Sequence, residues 1–389
     1  MVRSGAPSAE GGSMLDYADA DALIVDMARR FATERLAPGA AAREKAGRIE
    51  PEIIQELGEL GFLGATTPAE WGGSAIDPVS YALALEEIAA GDGSVSTLVS
   101  VHNSPTCVVV EKFGTEAQKE RWLRPLANGE HVGSFALTEP QAGSDASNLR
   151  TRAERKGSRY LINGAKQFIS NGSLAGSTVL FAVTDPSAGK RGLSCFVVAK
   201  DAPGYRVARI EEKLGQKASD TCALVFEDME VSEDQRIGAE GEGYKIALST
   251  LESGRIGIAA QSVGIARAAL DYAVAYAKDR TAFGQAIIDH QAVGFRLVEA
   301  KTRLEAARQL VLHAARLKAQ GRPALEAACM AKLFASEAAE AVTTAAIQTL
   351  GGYGFLADYP VERCYRDQRV CQIYEGTSDV QKIILQRML

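Results

Sequence analysis

The strongest constraint in this sequence is a hydrophobic period that changes twice. From about Asp16 to Glu130 apolar residues recur at three-to-four spacing, as in "ADALIVDMARRFATERLAP", and "PEIIQELGELGF" opens with Pro51 at a position a first helical turn tolerates. Near His131 the pattern shortens to apolar or alternating runs such as "STVLFAVTD", "GLSCFVVAK" and "CALVFEDMEV", separated by glycine, asparagine and proline. From Gly243 the helical period returns and persists. A strand-rich block between two helical ones is an uncommon order, and it predicts a mainly α protein with a middle β domain.

Within these blocks the residues set local expectations. Pro38 should end the first helix, and the Asn163–Gly164 pair is a hairpin signal. Leu297, Ala300, Leu304, Ala307, Val311 and Ala314 fall at alternating intervals of three and four, the seam of a helix packed in a bundle, and Gly321 supplies its stop. The next helix runs from near Pro323 to "QTLGG", and its alanine content implies close backbone approach. The expected divisions are a flexible lead-in over 1–15, a helical domain over 16–130, a β domain over 131–242 and a helical bundle over 243–389.

Composition removes several functional classes. The net charge of −6 is mild and the basic residues are scattered, so the electrostatic footprint of a nucleic-acid binder is missing. No window approaches the ~20 apolar residues a membrane span needs. The six cysteines form no CxxC pair and the four histidines show no ligand spacing, which predicts free thiols in a reducing compartment and no metal. "MVRSGAPSAEGGSM" has no apolar segment like a signal peptide's, so a cytoplasmic, bacterial-type protein is expected.

Four glycine-punctuated stretches are candidates for chemistry. In "IYEGTSD", Glu375 stands between apolar neighbours and a Gly-Thr-Ser step, where desolvation would raise its pKa above about 4.3 and strengthen it as a base. "FALTEPQAGSD" at the helix-to-strand junction offers backbone N–H groups and the Thr138 and Ser144 hydroxyls to a polar ring edge or a phosphate. "DRTAFGQAIIDHQ" sets Arg280 before a Phe-Gly break, and "QTLGGYG" ends a long helix with paired glycines. Taken singly, each is also an ordinary surface residue, loop or helix end.

Together, in order and at matching separations, these stretches and "KQFISNG" resemble the acyl-CoA dehydrogenase family from about residue 16 to 389. The resemblance implies an N-terminal helical domain, a β-barrel-like middle domain and a C-terminal four-helix bundle. It implies FAD between the β domain and the bundles, and a homotetramer in which the segments of Arg280 and Gln348 reach a neighbouring subunit's FAD. Around the flavin it places Phe135, Leu137, Thr138, Ser144, Phe168, Ile169 and Ser170. The family's commoner Trp-Ile-Thr is here Phe168-Ile169-Ser170, which keeps the hydroxyl and changes the ring.

Phe283, Gln291, Gly351, Gly352, Thr377 and Asp379 match further cofactor positions, with Asp379 where glutamate is usual. Ser144, Glu252, Arg255, Tyr374 and Gly376 match substrate positions. Glu375 matches the base that removes a proton next to the thioester carbonyl, while the β-carbon gives a hydride to the flavin, yielding a trans-2-enoyl-CoA. By the same resemblance the thioester oxygen rests on the Glu375 N–H and a ribityl hydroxyl. Some relatives carry the base on a C-terminal helix instead, in a Glu-Arg pair; here "LESGRIG" places Gly254 before Arg255, so the loop glutamate is the expected base.

"ESGRIGIAAQSVGIARAALDYAVAYAKDRTAFG" is most similar to the short-chain, butyryl-type branch. Short- to medium-chain and branched acyl groups fit this resemblance, as does electron-transferring flavoprotein as the acceptor. An acyl-CoA oxidase-like enzyme and a non-catalytic flavin- or CoA-ester-binding homologue are the alternatives.

Overall fold

The computed structural model describes residues 21–389; the lead-in assigned to residues 1–15 and the start of the first helical block lie outside them. The first block contains α1 (Ala22–Phe31), α2 (Pro51–Glu59), α3 (Pro78–Gly91) and α4 (Gly93–Val101), with short helical turns between and after them. Aspartates start three of these helices. The carboxylates of Asp21, Asp77 and Asp92 accept the Leu23, Val79 and Ser94 N–H groups at 2.9, 2.8 and 2.8 Å. Pro38 does not end the first helical run. A π turn over Ala32–Leu36 leads into a 3-10 turn in which Pro38 occupies a first-turn position, and helix continues to Ala46 before Gly47 turns left-handed. A proline costs nothing where its N–H would be unpaired anyway.

The middle block is a sheet of eight strands: β1 (Gly133–Ala136), β2 (Arg152–Lys156), β3 (Arg159–Ser170), β4 (Ser177–Val183), β5 (Leu193–Ala199), β6 (Tyr205–Ile210), β7 (Thr221–Ser232) and β8 (Arg236–Ile237). Their order is β6-β7-β3-β2-β4-β5-β8, and β1 joins β4 in parallel. The β2–β3 hairpin turns at Gly157, not at Asn163–Gly164. Asn163 and Gly164 lie inside β3 at a register shift opposite β7, where the Asn163 amide and Asp228 exchange two hydrogen bonds. Glycine is needed there, because a Cβ would sit 2.6 Å from the Thr151 Cα.

After the sheet come α5 (Gly243–Asp279), α6 (Gln291–Ala319), α7 (Leu325–Leu350), α8 (Pro360–Gln368) and α9 (Ser378–Gln386). The expected seam of α6 is buried throughout, with Leu297 to Ala314 contributing to one core with α5 and α7. Val79, Ala82 and Leu83 of α3 enter the same core, so the two helical blocks share apolar burial across the sequence gap between them. Ile256 of α5 belongs to this core, two residues after Gly254, which lies against the loop before α9. Among the described residues no helix is long and apolar enough to cross a membrane, and all six cysteines are unpaired.

Candidate active site

The loop before α9 is a strained turn. Glu375 (φ 54°) and Gly376 (φ 85°) are both left-handed, a conformation that costs a non-glycine residue about 1 kcal/mol or more. Side chains from two helices restrain it. Lys332 Nζ of α7 donates to the Gly376 carbonyl at 2.6 Å, and Gln381 Nε2 of α9 donates to the same carbonyl at 2.9 Å and to that of Glu375 at 3.2 Å. Thr377 is the N-cap of α9, its hydroxyl accepting the Val380 N–H at 3.2 Å. Tyr374 turns inward: its hydroxyl donates to the Gln261 side-chain oxygen and so anchors the loop.

The Glu375 carboxylate is pressed against α5. A Cβ added to Gly254 would lie 2.7 Å from its Oε2, which is covered and has no hydrogen-bond partner. Burial pushes the Glu375 pKa up to about 7, against the opposing pull of Arg255 and Lys332. Arg255 is buried, and its Nε lacks a partner. Glu252 lies one turn earlier on α5, half-buried.

The edge of the sheet forms a second group. Lys166 and Glu139 make a fully buried ion pair at 2.8 Å, and Lys166 also donates to the Leu137 carbonyl at 3.1 Å. The Gln167 N–H donates to the Thr138 carbonyl at 2.9 Å, tying the "LTEP" segment to β3. Thr138 and Ser170 are half-buried there. Phe168 is left-handed (φ 59°) and 63% exposed, an aromatic ring presented outward on a strained backbone. Ser144 is exposed. Leu137 and Ile169 put their side chains into the sheet core, and Phe135 is half-buried, packing on Phe181 at 5.0 Å.

A third group is separate. Arg280, Gly351, Gly352, Tyr276, Thr349 and Tyr353 line a cleft of about 370 Å³, with the Arg280 guanidinium 5.9 Å from the Tyr353 ring. Phe283, 97% exposed, forms with Gly284 the left-handed turn of a two-stranded ribbon (Thr281–Ala282 with Gln285–Ala286). Gln291 opens α6 and Gln348 lies in the last turn of α7, both exposed. Neither Glu375 nor Thr138 lines that cleft.

Reasoning from sequence missed the residues that hold the loop: Lys332, Gln381, Gln216 and Asp367. Lys332 had a signal, a lone charge on the buried Ala328–Ala331–Ala335–Ala339 face of α7. Asp367 of α8 is buried beneath the loop, accepts the Gln216 N–H, and is pushed by burial up to about 7.

Fold and site together define a class: chains in which helical blocks flank a central sheet and a loop glutamate is set against a buried helix glycine. Within that class, the chain belongs to the acyl-CoA dehydrogenase family. Models of the family's N-terminal, middle and C-terminal domains match residues 18–130, 134–229 and 241–389. The chain is 46% identical over 363 residues to an acyl-CoA dehydrogenase of Bacillus subtilis, covering 93% of this chain and 96% of that one. Butyryl-CoA dehydrogenase from Megasphaera elsdenii superposes with a TM-score of 0.92 at 42% identity, covering 94% of this chain and 96% of that one. A structure described as the electron-transferring flavoprotein of Acidaminococcus fermentans superposes with a TM-score of 0.93 at 48% identity over 94% and 96% of the two chains.

Proposed function

We propose that this protein is an FAD-dependent acyl-CoA dehydrogenase that converts a straight or branched short- to medium-chain acyl-CoA to its trans-2-enoyl-CoA, with Glu375 as the base. The observation that carries the reading is the desolvated Glu375 carboxyl, pushed up to about 7 and pressed against Gly254. A base for a carbon acid needs this strengthening, since its efficiency peaks when its pKa lies near the working pH.

The residues present fit a flavin. Phe168 offers an exposed aromatic face beside Thr138 and Ser170, and Ser378 Oγ, Arg369 Nη1 and Gln368 Oε1 are buried polar atoms without protein partners near the loop. Thr138, Phe168 and Ser170 would hold the ring; Thr377 caps its own helix, and Asp379 lies exposed beside it. Bound FAD supplies the acceptor for the β-hydride. Glu375 takes the α-proton onto its carboxylate, and Arg255 keeps positive potential beside it during proton transfer. The Glu375 N–H is the chain's own donor to the thioester oxygen, placed by the left-handed turn.

The cleft of Arg280, Gly351 and Gly352 is assigned to a neighbouring subunit's FAD in a homotetramer. Support comes from a cleft lining that includes neither Glu375 nor Thr138, and from the exposed apolar side chains of Phe283, Phe295, Val298 and Phe355, surface that a partner subunit would cover. Electron-transferring flavoprotein is the proposed acceptor, and unpaired cysteines throughout fit a cytoplasmic location.

The test is anaerobic mixing of the FAD-loaded protein with butyryl-CoA and longer or branched homologues, followed at the flavin absorption band. Rapid bleaching with at least one of them is expected, and Glu375→Gln should bleach at least a thousandfold more slowly while still binding FAD. Equal bleaching in that variant removes Glu375 from the role, and in a parallel aerobic assay, oxygen consumption matching the anaerobic bleaching rate would make the protein an oxidase.

A further inference from the structure

Lys332 is completely buried on an otherwise alanine-lined face of α7, and its hydrogen-bond acceptor is a main-chain carbonyl, that of Gly376 at 2.6 Å. Placing an ammonium in such a position is expensive unless it does something the apolar residues around it cannot. The carbonyl it holds belongs to the second of two consecutive left-handed residues, and the first of them is Glu375. Gln381 Nε2 reaches the same carbonyl from the opposite helix, at 2.9 Å, so the turn is pinned between α7 and α9.

We propose that Lys332 is a positioning residue for the base: its ammonium fixes the Gly376 carbonyl, holds the Glu375–Gly376 turn left-handed and thereby keeps the Glu375 carboxylate against Gly254. The inference rests on Glu375 being the base. Without the ammonium, Gln381 remains as the neutral donor, so the turn gains freedom while the helices on either side stay packed. The charge acts as well. Lys332 faces Glu375, Arg255, Cys329 and Cys371, and its cation opposes the burial that raises the Glu375 pKa. Removing it should move the Glu375 midpoint upward.

The test uses Lys332→Met and Lys332→Gln in the FAD-loaded protein, with Lys332→Arg as the conservative variant. Hydrogen–deuterium exchange read by mass spectrometry is expected to speed up at least tenfold for amides of residues 374–378, with α5 and the middle of α7 unchanged. The pH midpoint of anaerobic bleaching by butyryl-CoA should rise in Lys332→Met, and its rate at pH 7 should fall at least tenfold. Lys332→Arg should recover part of both. Unchanged loop exchange and an unchanged midpoint, with only a lower melting temperature or weaker FAD retention, would overturn the proposal. So would failure of all three variants to fold, which would assign Lys332 to folding. Bleaching by Glu375→Gln would instead remove the base assignment; the exchange measurement would still report on the turn itself.

Discussion

Gly254 and Glu375 share one volume: a Cβ on the helix residue would lie 2.7 Å from the Oε2 and 2.9 Å from the Cδ of the loop residue. A carboxylate launched from position 254 would therefore occupy the space that the Glu375 side chain now fills. Glycine at 375 would also relax the left-handed backbone there, where φ is 54°. The double variant Gly254→Glu/Glu375→Gly should recover flavin bleaching at least tenfold over Glu375→Gly alone, while remaining below the parent. Gly254→Ala alone should slow bleaching, since the added methyl displaces the carboxylate. Stopped-flow absorbance on the four proteins decides it.

The rate of anaerobic bleaching should rise with pH through about 7 and level off above it. Burial raises the Glu375 carboxyl to that value, so below it the base is mostly protonated and idle. Arg255 opposes the shift. Arg255→Met should accordingly move the midpoint upward and slow bleaching at pH 7 by about tenfold, one pKa unit being worth about 1.4 kcal/mol. A midpoint that stays in place would take Arg255 out of the carboxylate's surroundings.

How much of this was legible in the sequence depends on the range of the forces involved. The switch from helix to sheet and back, and the α6 seam from Leu297 to Ala314, are local periodicities set by burial of one face, and the chain folds as they predict. Pro38 and Asn163–Gly164 misled because each residue has two uses: proline breaks a helix interior yet suits a restart, and Asn-Gly makes a hairpin yet also suits a bulge beside a crowding backbone. Glu375 was marked by its loop and by the family resemblance. Lys332, Gln381 and Gly254 reach it from 43, 6 and 121 residues away in sequence, differences of the residue numbers, and spacing does not reveal contacts that only packing of α5, α7 and α9 creates.

Asp367 should make the protein less stable as pH rises. Burial pushes its carboxyl from 3.8 up to about 7, the Gln216 N–H opposing, so the folded state holds a proton that the unfolded state releases between those values. That contribution is complete below about pH 4 and is lost as pH climbs to 7. Asp367→Asn keeps an acceptor for the Gln216 N–H and removes the titration. Its melting temperature should therefore fall less between pH 5 and 8 than the parent's, the parent losing about 3 kcal/mol more stability over that range.

The buried pair of Lys166 and Glu139 gives the last prediction. Burial opposes the ionisation of Glu139, but Lys166 together with the Arg150 and Thr151 N–H groups holds its carboxyl below the usual range. Lys166→Met would leave that carboxylate buried without its cation and release the Leu137 carbonyl, which should cost about 3–5 kcal/mol. The double variant Lys166→Met/Glu139→Gln removes both charges while the new side-chain amide can still accept one of the two N–H groups, and should recover part of the loss. Because Leu137 and Thr138 are tied to β3 through Lys166 and Gln167, FAD affinity should fall in the single variant and return in part in the double. Denaturant unfolding and FAD titration of the apoprotein measure the two effects separately; loss of stability with unchanged FAD affinity would show that the pair supports the sheet and not the flavin-facing edge.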